Sequence, residues 1–518
     1  MKFGVASLFS FRPHVEHMAY LSHLLQQGGN SVSGFTCDAA VEHCYSRDLR
    51  GRSRLRQCPE CIVGGIRSFP IPDVWSIDSR LYEFLEPPRF RQLTLSSVTT
   101  IQRTETVDDL ATPEFGAAQR ALERPVATVY ANAKRWIIDR ELDAVLFFNG
   151  RMDLTTGLRA ACEDLRRPYI TVERSWFGHG LQLIPNENCL ALGEIARLSG
   201  EFRSSPLLPE QASYAGRIAA DRFRQRNALE WRIYNQGAQR IHWPNQAPPG
   251  ARVLILPGSR NEFEGHPDYS SGWAESTYAL DAVIAHLGLR REHCVVRCHP
   301  NWAEAIGINT AWRAERHWVN WAERQGMTII PSAARASTYG LIGDTDYVLV
   351  NGSTAGVEAA LRGRRVVCVG HSAYERAGFC PHICSEADLP LLDSLSSHDP
   401  QGTSRLALRY LYTYGRRFTQ FVPFVRALTT MRYQYFDGAD HQRIIRVCRT
   451  GQLEPDDARY AADTDFETRI VDQMLTGEWD ALGRWQEPPS TGRRVQIRRR
   501  AGLRWVDGVR GLFARGDL

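Results

Sequence analysis

The sequence predicts an α/β protein built from two Rossmann-like domains, with a helical extension after them. Three observations carry this. The chain opens with a strand, a helix and a second strand over residues 2–37. A second run of the same kind starts at Val253. It ends in a strand, a glycine turn and a helix start, Tyr347-Val348-Leu349-Val350-Asn351-Gly352-Ser353-Thr354 leading to Glu358. Between the two runs lies Pro244–Gly250, whose three prolines read as a linker. At 518 residues there is room for two cores or more. The expected division is 1–243 and 251–395 for the two domains, 396–492 for an extension packing back on the first, and 493–518 for a basic tail.

In the first domain, Lys2–Leu8 reads as a strand and Arg12–Gln27 as a helix. Val15, Met18, Leu21 and Leu25 share a face of that helix, and Gly28-Gly29 ends it. Val32–Cys37 is the next strand. Gly4 lies inside the first strand and no Gly-x-Gly-x-x-Gly follows it, which argues against a dinucleotide cofactor. Phe69–Thr112, with its aromatics and prolines, reads as helices and loops bordering a cleft. A helix over Glu114–Arg140 leads to a buried strand, Ala144–Phe148, and the loop Asn149-Gly150-Arg151-Met152-Asp153. The strand Tyr169–Val172 ends at Glu173-Arg174. Ligands of doubly wound domains sit at the carboxyl ends of the strands, so Arg151, Asp153 and Glu173 are expected on one rim. His179 stands behind them in Phe177-Gly178-His179-Gly180. Glu173 equally suits an ion pair with Arg174 or Arg151.

The most unusual local pattern is Cys37, Cys44, Cys58 and Cys61, spaced C-x6-C-x13-C-x2-C. Four thiols within 25 residues suit a structural, tetrahedral zinc site, and Arg47, Arg50, Arg52, Arg54 and Arg56 between the pairs would favour the thiolates. Four unrelated buried cysteines are the plain alternative.

Gln211–Gln236 is expected as a helix leading to the interdomain connection. In the second domain the strand Val253–Leu256 runs into Pro257-Gly258-Ser259-Arg260, where Gly258 permits close backbone approach and Arg260 suits an anionic group. A later strand ends in Arg297-Cys298-His299-Pro300-Asn301. The Ser353-Thr354 turn is either an ordinary helix cap or a phosphate cradle at a helix N-terminus. Glu358 lies one turn into that helix, as a solvated residue or within reach of a ribose hydroxyl.

The succession of His299-Pro300-Asn301, Ile329-Ile330-Pro331, Ser337-Thr338-Tyr339, Asn351-Gly352-Ser353-Thr354 with Glu358, and Gly370-His371-Ser372-Ala373-Tyr374-Glu375 resembles the capsule polysaccharide biosynthesis family. That family is similar to bacterial Kdo and sialic acid transferases of the two-Rossmann (GT-B) type. The resemblance covers Val253 to about Leu392 well and the first half in outline. It implies a nucleotide-sugar-dependent glycosyltransferase of surface polysaccharide assembly, with CMP-Kdo or a similar acidic sugar as donor and no catalytic metal. The donor would meet Gly258, Ser259, Arg260, His299, Pro300, Ser353, Thr354 and Glu358. Glu173, Asp153 or His179 would take the proton from a glycan or lipid-linked acceptor. Three alternatives stay open: a uridine- or guanosine-linked sugar as donor, since nothing in the sequence reads the base; polyol-phosphate transfer from a CDP donor, as in teichoic acid synthesis; and a non-catalytic scaffold for polysaccharide export.

After Leu392 the pattern turns helical and aromatic over Arg405–Arg426. Arg493–Leu518 carries eight arginines and two aspartates, so residues 1–492 sum to −1 of the formal +5. A neutral body argues against nucleic acid as partner. The tail, with Leu503, Trp505, Val506, Val509, Leu512 and Phe513 among arginines, suits either peripheral contact with an anionic membrane or a solvated end. The start of the chain lacks a signal-peptide pattern and no stretch has the length of a membrane span, so a cytoplasmic location is expected.

Overall fold

The computed structural model describes residues 1–230, 237–490 and 492–512. Two six-stranded sheets organise them. The first contains β1 (Lys2–Ala6), β2 (Ser31–Thr36), β3 (Asp73–Ser76), β4 (Ala144–Phe148), β5 (Tyr169–Arg174) and β6 (Leu181–Pro185), in the order β3-β2-β1-β4-β5-β6. All neighbours are parallel except β6, which runs antiparallel to β5. The second contains β7 (Val253–Leu256), β8 (Cys294–Arg297), β9 (Thr328–Ile330), β10 (Tyr347–Val350), β11 (Arg365–Val369) and β12 (His382–Ile383). Its order, β9-β8-β7-β10-β11-β12, repeats the first, and every pair is parallel. Two Rossmann-like domains are therefore present, each reversing its strand order beside its first strand, where such sheets open a crevice.

The residues explain the sheets. Strands β7 and β10 are unbroken apolar runs buried along nearly their whole length, as parallel strands covered on both faces require. Gly4 sits in β1 because a Cβ there would lie 2.4 Å from the ring of Trp136. That indole, fully buried, donates to Ser33 Oγ at 2.9 Å and stacks on Phe35. The long helix carrying Trp136 runs over Pro113–Asp139.

Several expectations change. The helix expected over Gln211–Gln236 spans Pro209–Phe223, and residues 231–236 lie outside the described residues. The region 396–492 is not wholly helical. After the helix Pro400–Tyr412 it forms a hairpin, β13 (Val425–Thr429) with β14 (Arg432–Phe436), and β15 (Arg494–Val495) adds to β14. The boundary at 493 thus cuts through a sheet. This sheet docks on the first domain: Tyr20 Oη donates to Phe436 O at 2.8 Å, and Tyr435 Oη lies 3.0 Å from His17 Nδ1. The basic tail docks too. Arg499 is 1% exposed and donates to Val63 O and Gly64 O while pairing with Asp507 at 2.8 Å. Arg500 donates to Phe69 O and Ile71 O. Two of the tail's arginines are consumed by the first domain. Among the described residues no helix is long and apolar enough to cross a membrane. The end of the tail, including Phe513, lies outside the described residues.

Candidate active site between the domains

The carboxyl edges of the two sheets face one cavity of about 560 Å³. From the first domain it is lined by residues following β1 (Ser10, Arg12, His14), β4 (Asn149, Arg151) and β5 (Glu173 to Trp176). From the second it takes residues following β7 (Asn261, Glu262), β8 (Asn301), β10 (Gly352, Thr354) and β11 (Ala373, Tyr374). The domains meet around this cavity. Arg151 Nη2 donates to Thr100 Oγ1 at 2.7 Å while its Nη1 reaches Glu262 O. The buried Glu105 carboxylate accepts from Arg260 N at 3.1 Å and Trp318 Nε1 at 3.0 Å across the junction.

Glu173 is at the cavity wall. Its Oε2 accepts from Asn149 Nδ2 at 3.2 Å, its Oε1 from Arg174 N at 3.1 Å, and His14 Nε2 stands 3.3 Å from Oε1. Asn149 is held for this contact by a left-handed turn, in which Gly150 is required: its φ is +75°, and a Cβ would lie 2.5 Å from Thr171. Burial pushes the Glu173 carboxyl above its ordinary range, with Arg174 opposing. Burial, reinforced by Arg174, holds His14 neutral to well below the usual histidine range. His14 Nδ1 has no hydrogen-bond partner among the described residues. A neutral imidazole that donates from Nε2 to Glu173 keeps its lone pair on Nδ1, the arrangement of a base oriented by a carboxylate. His14 was not singled out from the sequence. Its available signal was its place in the first turn of the helix His14–Gln27, directly after the β1 loop.

Asp153 and His179 stand elsewhere. Asp153 is fully buried; Oδ1 accepts from Leu154 N at 2.6 Å and Oδ2 from Tyr45 N at 2.5 Å, and it does not line the cavity. It opens the helix Asp153–Asp164 and ties that helix to the Tyr45 segment. His179 turns toward the C-terminal hairpin, accepting from Ala427 N at 3.0 Å with Glu487 3.5 Å away.

A second cavity of about 150 Å³ adjoins the first, sharing Trp176 and Thr354 as walls. His299, Pro300, Ser353, Thr354 and Glu358 all line it, together with Arg297 and Tyr339. His299 Nδ1 accepts from Asn301 N at 3.1 Å, and burial pulls the imidazole down to about 4, so at neutral pH its proton sits on Nε2. Glu358 is 4% exposed and pairs with Arg222, which also grips Glu230 through two bonds of 2.8 and 2.7 Å. Glu358 Oε2 has no partner among the described residues. A solvated Glu358 is therefore excluded.

The loop after β7 is arranged differently from the sequence expectation. Gly258 N donates to Asn351 Oδ1 and Gly258 O accepts from Asn351 Nδ2, so Asn351 bridges the crevice between β7 and β10. Ser259 is buried, its hydroxyl accepting from Trp302 Nε1 at 2.6 Å. Arg260 pairs with Glu264 and lines a separate cavity of about 380 Å³. Gly258, Ser259 and Arg260 therefore do not line the cavity that gathers the other five. Thr354 makes no side-chain cap on the seven-residue helix Ala355–Leu361; Ser353 Oγ accepts from Ala355 N at 3.4 Å, and Tyr374 Oη donates to Ser353 O at 2.8 Å.

The four clustered cysteines are all partly buried. Cys58 and Cys61 sit on the helix Arg54–Gly64 rather than in a turn, and Cys61 Sγ accepts from Gln57 Nε2 at 3.5 Å. Thiolates of a tetrahedral zinc site stand about 3.8 Å apart. Among the described residues no three of these sulfurs come within 4.8 Å of one another.

The two Rossmann-like domains, with facing carboxyl edges and a cleft between them, define a protein of GT-B layout. No family model and no curated protein matches the chain. Among solved structures it is similar to the beta Kdo 2,4 transferase of Thermosulfurimonas dismutans KpsC, with 14% identity over 64% of this chain and 87% of that one and a TM-score of 0.32. For the beta Kdo 2,7 transferase of the same organism's KpsC the values are 12%, 67%, 89% and 0.34. For Methanocaldococcus jannaschii UDP-GlcNAc 2-epimerase they are 8%, 87%, 99% and 0.28. With TM-scores this low, the fold rests on the chain's own strand order.

Proposed function

We propose that this protein is a glycosyltransferase of bacterial surface polysaccharide assembly, moving an acidic sugar from a nucleotide donor to a hydroxyl of a glycan. The observation that carries the reading is the cleft itself: two crevices face each other, with a desolvated carboxylate–histidine pair on one wall and a polar pocket lined by His299, Ser353, Thr354 and Glu358 beside it. His14, oriented by Glu173, takes the proton of the acceptor hydroxyl as that oxygen attacks the anomeric carbon. The Nε2 proton of His299 donates to the departing phosphate and offsets its charge. Glu358 Oε2 accepts from a ribose hydroxyl. Five arginines on the large cavity (Arg12, Arg50, Arg103, Arg151, Arg174) against three glutamates (Glu60, Glu173, Glu262) favour an anionic sugar.

The test is thermal stabilisation by CMP, CDP, UDP and GDP, followed by turnover of the nucleotide sugar that fits. A rise in melting temperature with CMP that is lost in His299→Ala is expected, because a ligand of the folded state stabilises by mass action. A rise with UDP or GDP alone would replace the donor. Turnover of CDP-glycerol would assign polyol-phosphate transfer. No rise with any nucleotide would turn the reading to a polysaccharide-binding scaffold.

A further inference from the structure

Behind the wall of the large cavity, His371, Glu375 and Cys384 bring an imidazole nitrogen, a carboxylate oxygen and a sulfur within 4.8 Å of one another. His371 and Glu375 belong to the loop after β11, and Cys384 follows β12. His371 Nδ1 lies 2.8 Å from Glu375 Oε2 and 3.6 Å from Cys384 Sγ. An ordinary ion pair between residues four apart accounts for the first contact and not the second. A ring nitrogen that donates its one proton to the carboxylate has no lone pair to offer the thiol. Three donor atoms converging on one point is what a cation satisfies and a single hydrogen bond does not.

We propose that His371, Glu375 and Cys384 form a binding site for a borderline-soft divalent cation of the zinc class. The ligand set selects the ion: a thiolate and an imidazole disfavour magnesium and calcium, and suit zinc. The nitrogen–sulfur distance agrees, because zinc–nitrogen and zinc–sulfur bonds of about 2.1 and 2.3 Å at tetrahedral angles give an edge of about 3.6 Å, while the 2.8 Å nitrogen–oxygen contact opens to about 3.4 Å on binding. Binding releases the Cys384 proton, and the imidazole proton shifts from Nδ1 to Nε2, freeing the Nδ1 lone pair for the ion. The His371 and Glu375 side chains are 28% and 35% exposed, so an ion enters from solvent and the fourth position is open to water. A second layer holds the ligands: Asp388 Oδ2 accepts from Cys384 N at 3.0 Å and Ser385 N at 2.8 Å, and Cys384 O accepts from Gly272 N. The bound ion fastens the loop that presents Ala373 and Tyr374 to the cavity, joining it to the end of β12. Its role is structural toward that wall, and it does not depend on the glycosyl-transfer reading.

The test uses the full chain, stripped by chelator and titrated with Co²⁺. A thiolate-to-cobalt charge-transfer band saturating at one equivalent is expected, with visible bands of tetrahedral intensity. The band persists in Cys58→Ser/Cys61→Ser and disappears in Cys384→Ser, whose side chain is nearly isosteric and preserves the fold. His371→Ala weakens cobalt binding at least tenfold. A band that survives Cys384→Ser, or one lost in the Cys58/Cys61 variant instead, overturns the proposal. So does a wild-type protein that shows no band.

Discussion

Glu173 and Asp153 are both carboxylates at strand ends of the first domain, and only their hydrogen-bond partners separate their roles. Asp153 is enclosed by backbone amides of Leu154 and Tyr45. Glu173 faces the cavity and holds His14. Replacing Glu173 by Gln leaves the shape and removes the charge that orients the imidazole. Its kcat is expected to fall about 10²–10⁴-fold with little change in KM, measured by initial rates on the active donor. Because burial raises the Glu173 carboxyl, activity rises with pH through a value above the ordinary carboxylate range. Glu173→Gln removes that acidic limb.

Glu105 supplies a second test at this scale, on stability. Burial pushes its carboxyl up to about 8 despite two donors. Below its unfolded value of about 4.5 both states hold the proton. As pH rises from there toward 8 the unfolded chain releases the proton first, so stability falls across that window. Glu105→Gln should flatten this slope in urea melts between pH 5 and 8 while keeping an acceptor for Trp318.

At the scale of elements, β15 and the segment after it govern how the C-terminal sheet is held. Strand β14 gains a neighbour from β15, and Arg499 anchors the following chain to the 63–68 segment. A chain ending at residue 492 loses both and leaves an open strand edge, a template for association. Its melting temperature is expected to fall, with self-association seen by size exclusion. In the full chain, Arg499→Ala leaves the Val63 and Gly64 carbonyls without this donor and Asp507 with Arg12 alone, and should cost about 3 kcal/mol in denaturant unfolding.

At the scale of the molecule, the junction between the domains carries its own buried charge. Arg222, on the helix Pro209–Phe223, binds Glu230 and reaches Glu358 on the second domain, with Trp176 stacked 4.0 Å from the guanidinium. Arg222→Met leaves two buried carboxylates unpaired, at an expected cost of about 3–5 kcal/mol. Nucleotide-induced stabilisation should shrink in the same variant, because Glu358 loses the partner that fixes it in the second cavity.

What was legible in the sequence follows a physical divide. Strands such as Ala144–Phe148 and Val253–Leu256 announce themselves, since a parallel strand buried on both faces must be continuously apolar. The two Rossmann-like halves and the positions of Glu173, His299 and Ser353 at strand ends follow from chain order alone. The C-terminal hairpin was missed because Arg432–Phe436 is a short, mostly half-buried strand inside a region read as helical from the Arg405–Arg426 pattern. Local pattern says where a residue sits along the chain. It does not say which way the side chain turns. That choice is made by particular partners, most of them distant in the chain: Asn351 takes the Gly258 amide, Trp302 takes Ser259 and Glu173 takes His14, while Glu264, one helical turn on, takes Arg260. The sequence by itself determined the two sheets and the edge on which a site must lie. Only tertiary packing decided which polar groups face the cleft, because each one turned away has found a partner within the protein.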